Sequence, residues 1–138
     1  MPANDKIHDA VKNALLKEGW TITDDPFTLD FEGEKLYADL AAERPVGAER
    51  NGEKIVVEIK SFLGLSLMHD FEGALGQYQI YKSILKVIAP ERRLYLALSE
   101  EAYLRLVKRN VFQKIQKDIG LTMLVVEVLI EEVVRWID

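Results

Sequence analysis

Glu58-Ile59-Lys60 closes a run of alternating residues that begins at Lys54, and nowhere else in the chain does a carboxylate stand two residues before a lysine. In a strand, alternation puts Val56, Glu58 and Lys60 on one face and Val57 and Ile59 on the other. A carboxylate and an ammonium on an otherwise apolar strand are costly unless they are paired or in use. Asp39 lies 19 residues earlier in a second alternating run, between Ala38 and Leu40. Hairpin pairing of the two runs would set Asp39 beside Glu58. Two convergent carboxylates form a hard-oxygen site suited to Mg²⁺ or Mn²⁺. Lys60 beside them would neutralise charge developing on phosphorus oxygens, so the trio suits hydrolysis of a phosphodiester. A partly buried salt bridge among the same three groups accounts for the spacing equally well.

The elements that must position these residues can be read from periodicity. Ile7, Ala10, Val11, Ala14 and Leu15 recur at helical spacing, with Asn4 or Asp5 as caps and Gly19 as the stop. Trp20–Thr23 and Phe27–Phe31 are β-prone around the Asp24-Asp25-Pro26 turn. Leu36–Ala41 and Lys54–Lys60 follow as strands, with the hairpin signal Asn51-Gly52 between them. These strands are expected to form an antiparallel meander. A second helix is expected from Asp70, as N-cap, to Ile88, with Phe71, Ala74, Leu75, Tyr78, Leu85 and Ile88 as its apolar stripe and Pro90 as its stop. Arg93–Leu98 reads as a buried strand. A third helix over Glu100–Lys117 would turn Leu104, Val107, Val111 and Ile115 inward and end before Gly120. Met123–Ile130 and Val133–Ile137 read as closing strands. The order α-β-β-β-α-β-α-β is that of a mixed α/β sheet flanked by helices.

Gln77 and Tyr81 fall at i and i+4 on the second helix, on a face flanking its apolar stripe. If that helix crosses back over the sheet, the amide and the phenol come near Lys60. Together Asp39, Glu58-x-Lys60 and Gln77-x-x-x-Tyr81 resemble the PD-(D/E)XK nuclease superfamily, whose αβββαβ core would span about Ile7 to Leu98. One departure is Ala38, which stands where that superfamily's nominal proline would precede the acid. Longer strings carry a narrower resemblance. Val11-Lys12-Asn13-Ala14-Leu15, Gly19-Trp20-Thr21-Ile22-Thr23, Asp39-Leu40-Ala41-Ala42-Glu43, Val57-Glu58-Ile59-Lys60-Ser61-Phe62 and Ala74-Leu75-Gly76-Gln77-Tyr78 look like the XisH family, the fdxN-element excision controlling factors of cyanobacteria. The likeness covers nearly the whole chain. It implies a restriction-endonuclease-like fold and a DNA-handling protein that controls site-specific excision of a DNA element with a XisI-type partner. In this reading Asp39 and Glu58 hold Mg²⁺ or Mn²⁺, Lys60 is catalytic, and Gln77 and Tyr81 assist. The rival reading is a non-catalytic regulator that keeps the nuclease fold as a platform for a recombination complex.

The auxiliary candidates are weaker. His8, on the edge of the first helix's stripe, could reach the sheet's active face as a proton carrier, or could simply make one hydrogen bond. Glu43 extends the Asp39 strand and could pair with Arg44 or Lys60. His69 reads as a loop residue. The Gly73-x-x-Gly76 step lies within a helix, so it is no phosphate loop and is assigned to close helix–sheet packing.

Composition bounds the alternatives. The chain has 138 residues, 49% hydrophobic and 30% charged, which fits one globular domain over residues 1–138. It contains no cysteine, which excludes disulfides, thiolate metal sites and cysteine nucleophiles. No Walker or dinucleotide motif occurs. No leader pattern opens the chain and no apolar run approaches a membrane span, so a cytoplasmic protein without membrane contact is expected. Net charge is −5, yet nine basic residues face three acidic ones between Lys82 and Lys117. Within that segment Arg105, Lys108 and Arg109 are the candidate DNA contacts, against the plainer reading of a solvated helix face. The terminal strands offer exposed edges through which a homodimer could form.

Overall fold

A computed structural model describes residues 3–45 and 52–138, with side chains from residue 6. The chain runs α1 (Ala3–Lys17), β1 (Thr21–Asp24), β2 (Phe27–Phe31), β3 (Glu34–Ala38), β4 (Leu40–Arg44), β5 (Glu53–Ile59), α2 (Leu67–Ile88), β6 (Arg93–Ser99), α3 (Glu100–Val107), α4 (Asn110–Ile119), β7 (Met123–Glu127) and β8 (Glu132–Ile137). Six strands form a mixed sheet in the order β1-β4-β5-β6-β7-β8. The β5–β6 and β6–β7 pairs are parallel and the others antiparallel. Among the described residues, no helix is long and apolar enough to cross a membrane.

Alternation along the strands divides the core into two layers. Ile55 and Val57 of β5 face α1, whose Ile7, Ala10, Val11, Ala14 and Leu15 are all buried. Val56 faces the other way, into a layer built from Phe71, Ala74, Tyr78, Tyr81 and Leu85 of α2 with Ala102, Leu106 and Phe112 of α3 and α4. Glu58 and Lys60 share the parity of Val56, so they open toward α2 and away from α1.

The structure revises several expected boundaries. Leu36–Ala41 is not one strand, because the chain breaks at Asp39. The Asp39 carboxylate accepts the Ile59 N–H at 2.7 Å, and its own N–H donates to Glu58 Oε1 at 3.3 Å. Side-chain bonds replace the ladder at that residue and end its register. The continuous meander therefore divides: β4 joins the large sheet, while β2 and β3 pair as a separate hairpin against α2. The tip carrying Asn51 lies outside the described residues, although β4 and β5 do pair antiparallel. Asn4 and Asp5 fall inside α1, which already begins at Ala3.

Helix α2 starts earlier than expected. Ser66, not Asp70, is its N-cap, with Oγ accepting the His69 N–H at 3.2 Å. The third helix is two. Leu104 and Val111 are exposed, and the break at Lys108-Arg109 lets Phe112 turn into the core, edge-on to Phe71 at 5.2 Å. Gln113 Nε2 donates to the Val107 carbonyl at 2.6 Å and closes the end of α3. Gly120 ends α4 at φ +66°, a left-handed position that glycine adopts without strain. Strand β7 stops at Glu127, where the Leu129 N–H bonds the Glu127 carboxylate and the chain turns into β8.

Candidate active site

The break at Asp39 and the carboxyl end of β5 meet where α2 crosses the sheet. The two acids are laced together through the backbone bonds just described, and Lys60 Nζ stands 3.3 Å from Glu58 Oε2. The Glu58 side chain is 8% exposed and that of Lys60 30%. The carboxylate is thus enclosed, while the ammonium reaches solvent along its stem. Burial, reinforced by the charge of Asp39 and opposed by Lys60, pushes the Glu58 carboxyl up from 4.5 to about 7. A carboxylate pair so strained is short of positive charge.

Gln77 lies where the helix spacing puts it. Its Oε1 is shielded from solvent and has no hydrogen-bond partner among the described residues. Lys60 and Gln77 line one cavity of about 430 Å³ together with His69, Asp70 and Gly73. A desolvated carbonyl without a partner costs about 1–3 kcal/mol. The two carboxylates suit a hard divalent cation that keeps several waters. No group of three or more acidic or histidine side chains stands ready to cage a metal among the described residues.

Tyr81 is hydrogen-bonded within the chain. Its hydroxyl donates to the Tyr37 carbonyl at 3.0 Å, tying α2 to the residues that lead into Asp39. Burial first, then the charges of Glu58 and Asp39, raises its pKa. The phenol therefore positions the acid strand.

His8 is not brought to the trio. It sits on α1, across the sheet, with Nε2 2.9 Å from Asp25 Oδ1, and Lys12 holds the other oxygen of Asp25 at 2.9 Å. Glu43 pairs with neither Arg44 nor Lys60. It lies at the far end of β4, 3.2 Å from Arg92 Nη2. Arg105 is spent on the Phe62 carbonyl at 3.0 Å, pinning the loop between Lys60 and α2. Lys108 and Arg109 are exposed at the α3–α4 break.

Sequence spacing alone does not mark His69 and Asp70 as lining residues, because Asp70 is itself a competent N-cap. With Ser66 as the cap, His69, Gly73 and Gln77 fall at i, i+4 and i+8 on one helix face. Asp70 Oδ2 accepts the Gly64 N–H at 2.8 Å, and a Cβ at Gly64 would stand 2.5 Å from that carboxylate. The loop wall thus depends on a glycine.

Gly73 and Gly76 do not serve helix–sheet packing. Nothing lies within 4 Å of a Cβ built at either, and both are exposed. Gly73→Ala and Gly76→Ala are expected to stabilise the protein by up to about 1 kcal/mol each, measured by urea denaturation. A loss of stability would restore the packing role.

The arrangement defines a class: a mixed α/β protein with an acid–acid–lysine cluster at the carboxyl end of its parallel strands. The family model described as XisH protein matches residues 1–134, and the chain belongs to the XisH family. It is similar to the crystal structure of an XisH family protein from Nostoc punctiforme PCC 73102, with 38% identity over 97% of this chain and 100% of that one and a TM-score of 0.88. It is also similar to an fdxN element excision controlling factor protein from Anabaena variabilis, with 39% identity over 97% and 99% and a TM-score of 0.86. No curated protein matched.

Proposed function

We propose that this protein handles DNA in the controlled excision of a DNA element and carries a PD-(D/E)XK-type site for divalent-cation-dependent phosphodiester cleavage. The carrying observation is the buried Glu58, laced to Asp39 through the backbone and 3.3 Å from Lys60, which itself lines an open cavity together with Gln77. Mg²⁺ or Mn²⁺ held by Asp39 and Glu58 would supply Lewis acidity toward water and phosphate. Lys60 would orient the attacking water and neutralise charge on the phosphoryl oxygens. Gln77 would fix the position of the phosphate or water, and Tyr81 would hold the Asp39 strand in place. The reading puts the protein in the cytoplasm, beside DNA, with a XisI-type partner protein, and the open β8 edge suits pairing with a second copy.

One observation favours the non-catalytic alternative, a platform for a recombination complex. Both Glu58 oxygens already have partners within the chain, the Asp39 N–H and Lys60. Incubation with single-stranded, duplex and branched DNA in Mg²⁺ or Mn²⁺ separates the two. Cleavage is expected in the wild type, absent with chelator and absent in Asp39→Asn. DNA binding without cleavage under any of these conditions would favour the platform.

A further inference from the structure

We propose that the end of α2 remote from the Asp39–Glu58–Lys60 cluster forms a second site, a pocket for a backbone phosphate of nucleic acid. The sequence places an excess of positive charge between Lys82 and Lys117, and the fold gathers its first four members. Lys82 and Lys86 from α2 and Arg92 and Arg93 at the start of β6 line one cavity of about 300 Å³, with Tyr78 and Thr122 also in its wall. No acidic residue lines it among the described residues.

The two arginines are fixed from outside the cavity. Arg92 is 12% exposed, bonded to Glu43 at 3.2 Å and the Ile55 carbonyl at 3.4 Å and stacked on Phe27 at 5.0 Å. Arg93 stands 3.3 Å from Asp138. Their charges are thus partly shared. The two lysines are not: neither has a carboxylate partner among the described residues. Lys82 rests over the Tyr78 ring at 5.7 Å, and Lys86 follows one turn later. Like charges at i and i+4 repel on a helix, and here they face two further cations. An anion between them removes that repulsion.

The wall beneath the lysines is held rigid by its own hydrogen bonds, so the cations alone are left to meet an anion. Tyr78 OH and Thr122 Oγ1 lie 2.9 Å apart, and Thr122 also bonds the Leu94 carbonyl. Lys86 lies nine residues beyond Gln77 on the same helix. At 1.5 Å and 100° per residue that is about 13 Å along the axis and half a turn around it, so the pocket opens on the other side of α2 from Gln77. A phosphate held there belongs to a contact separate from the Asp39–Glu58–Lys60 cluster, and Arg105, Lys108 and Arg109 do not line the pocket.

The test needs no cleavage, so its outcome is separate from that of the nuclease reading. Binding of a fluorescent duplex of about 20 base pairs, two helical turns, is measured by anisotropy in chelator over a range of salt. Lys82→Gln/Lys86→Gln is expected to bind more weakly and to lower the slope of log affinity against log salt by about two. The Lys82→Arg/Lys86→Arg pair should keep the slope, as should Lys114→Gln/Lys117→Gln, which makes the same change in net charge elsewhere. Unaltered melting of each variant confirms folding. An unchanged slope in the first pair, or no duplex binding by the wild type, overturns the proposal. So does an unchanged slope accompanied by pyrophosphate binding that only the first pair loses, since the pocket then takes small phosphates and not nucleic acid.

Discussion

Glu58→Gln is expected to raise the melting temperature of the metal-free protein at pH 8 and to leave it nearly unchanged at pH 4. The Glu58 carboxyl ordinarily titrates at 4.5 and is pushed up to about 7 in the fold. The folded state then binds more protons than the unfolded one between those values, so stability falls as pH rises through that window. Below 4.5 the penalty is absent, and above about 7 it is present in full. Its size is on the order of 3 kcal/mol and belongs to the Asp39–Glu58 pair jointly. Glutamine keeps an acceptor for the Asp39 N–H but cannot ionise. Lys60, 30% exposed, can solvate when its partner is neutral. The expected rise at pH 8 is on the order of 5–10 °C. Mn²⁺ should raise the wild-type melting temperature with the logarithm of its concentration and have little effect on the variant. Equal melting of the two proteins at pH 8 would show that Glu58 bears no such strain.

Lys60→Met should separate catalysis from stability. Loss of one preorganised group that stabilises transition-state charge lowers turnover by about 10²–10³-fold, so DNA cleavage is expected to fall by that amount. The Mn²⁺-dependent rise in melting temperature should persist, because an ammonium is no metal ligand. Stability should change little. Removing a partner from a buried ion pair ordinarily costs about 3–5 kcal/mol. Here Glu58 titrates near neutrality and can take up a proton when Lys60 is gone, which holds the cost at pH 7 below about 1 kcal/mol. A large loss at pH 7, with no metal-dependent rise in either protein, would mark the trio as a structural salt bridge.

The site was legible because it rests on strand parity. Val56, Glu58 and Lys60 share a face for reasons internal to β5, and the 19-residue offset to Asp39 is a hairpin closed by β4 and β5. Gln77 followed from helix spacing. What the sequence concealed were choices made by tertiary contacts. Nothing local separates a strand through Asp39 from two strands broken there, since the break depends on the N–H of Ile59. Ser66 and Asp70 are both competent caps, and only the Ser66 start brings His69 onto the helix face that lines the cavity with Gly73. Leu104 and Val111 keep helical spacing through a segment that breaks so that Phe112 can meet Phe71. Arg92 finds Glu43 across 49 residues, and with it the basic cavity forms away from Arg105, Lys108 and Arg109.

Calorimetric titration of Mn²⁺ into the metal-free wild type, Asp39→Ala and Glu58→Ala tests the site most directly. Both carboxylates must contribute if the strain at Glu58 is that of an empty cation site. Binding is expected in the wild type and should be lost in each variant while both remain folded at the titration temperature. Binding of equal strength in all three proteins, or none in the wild type, would contradict a metal centre at Asp39 and Glu58.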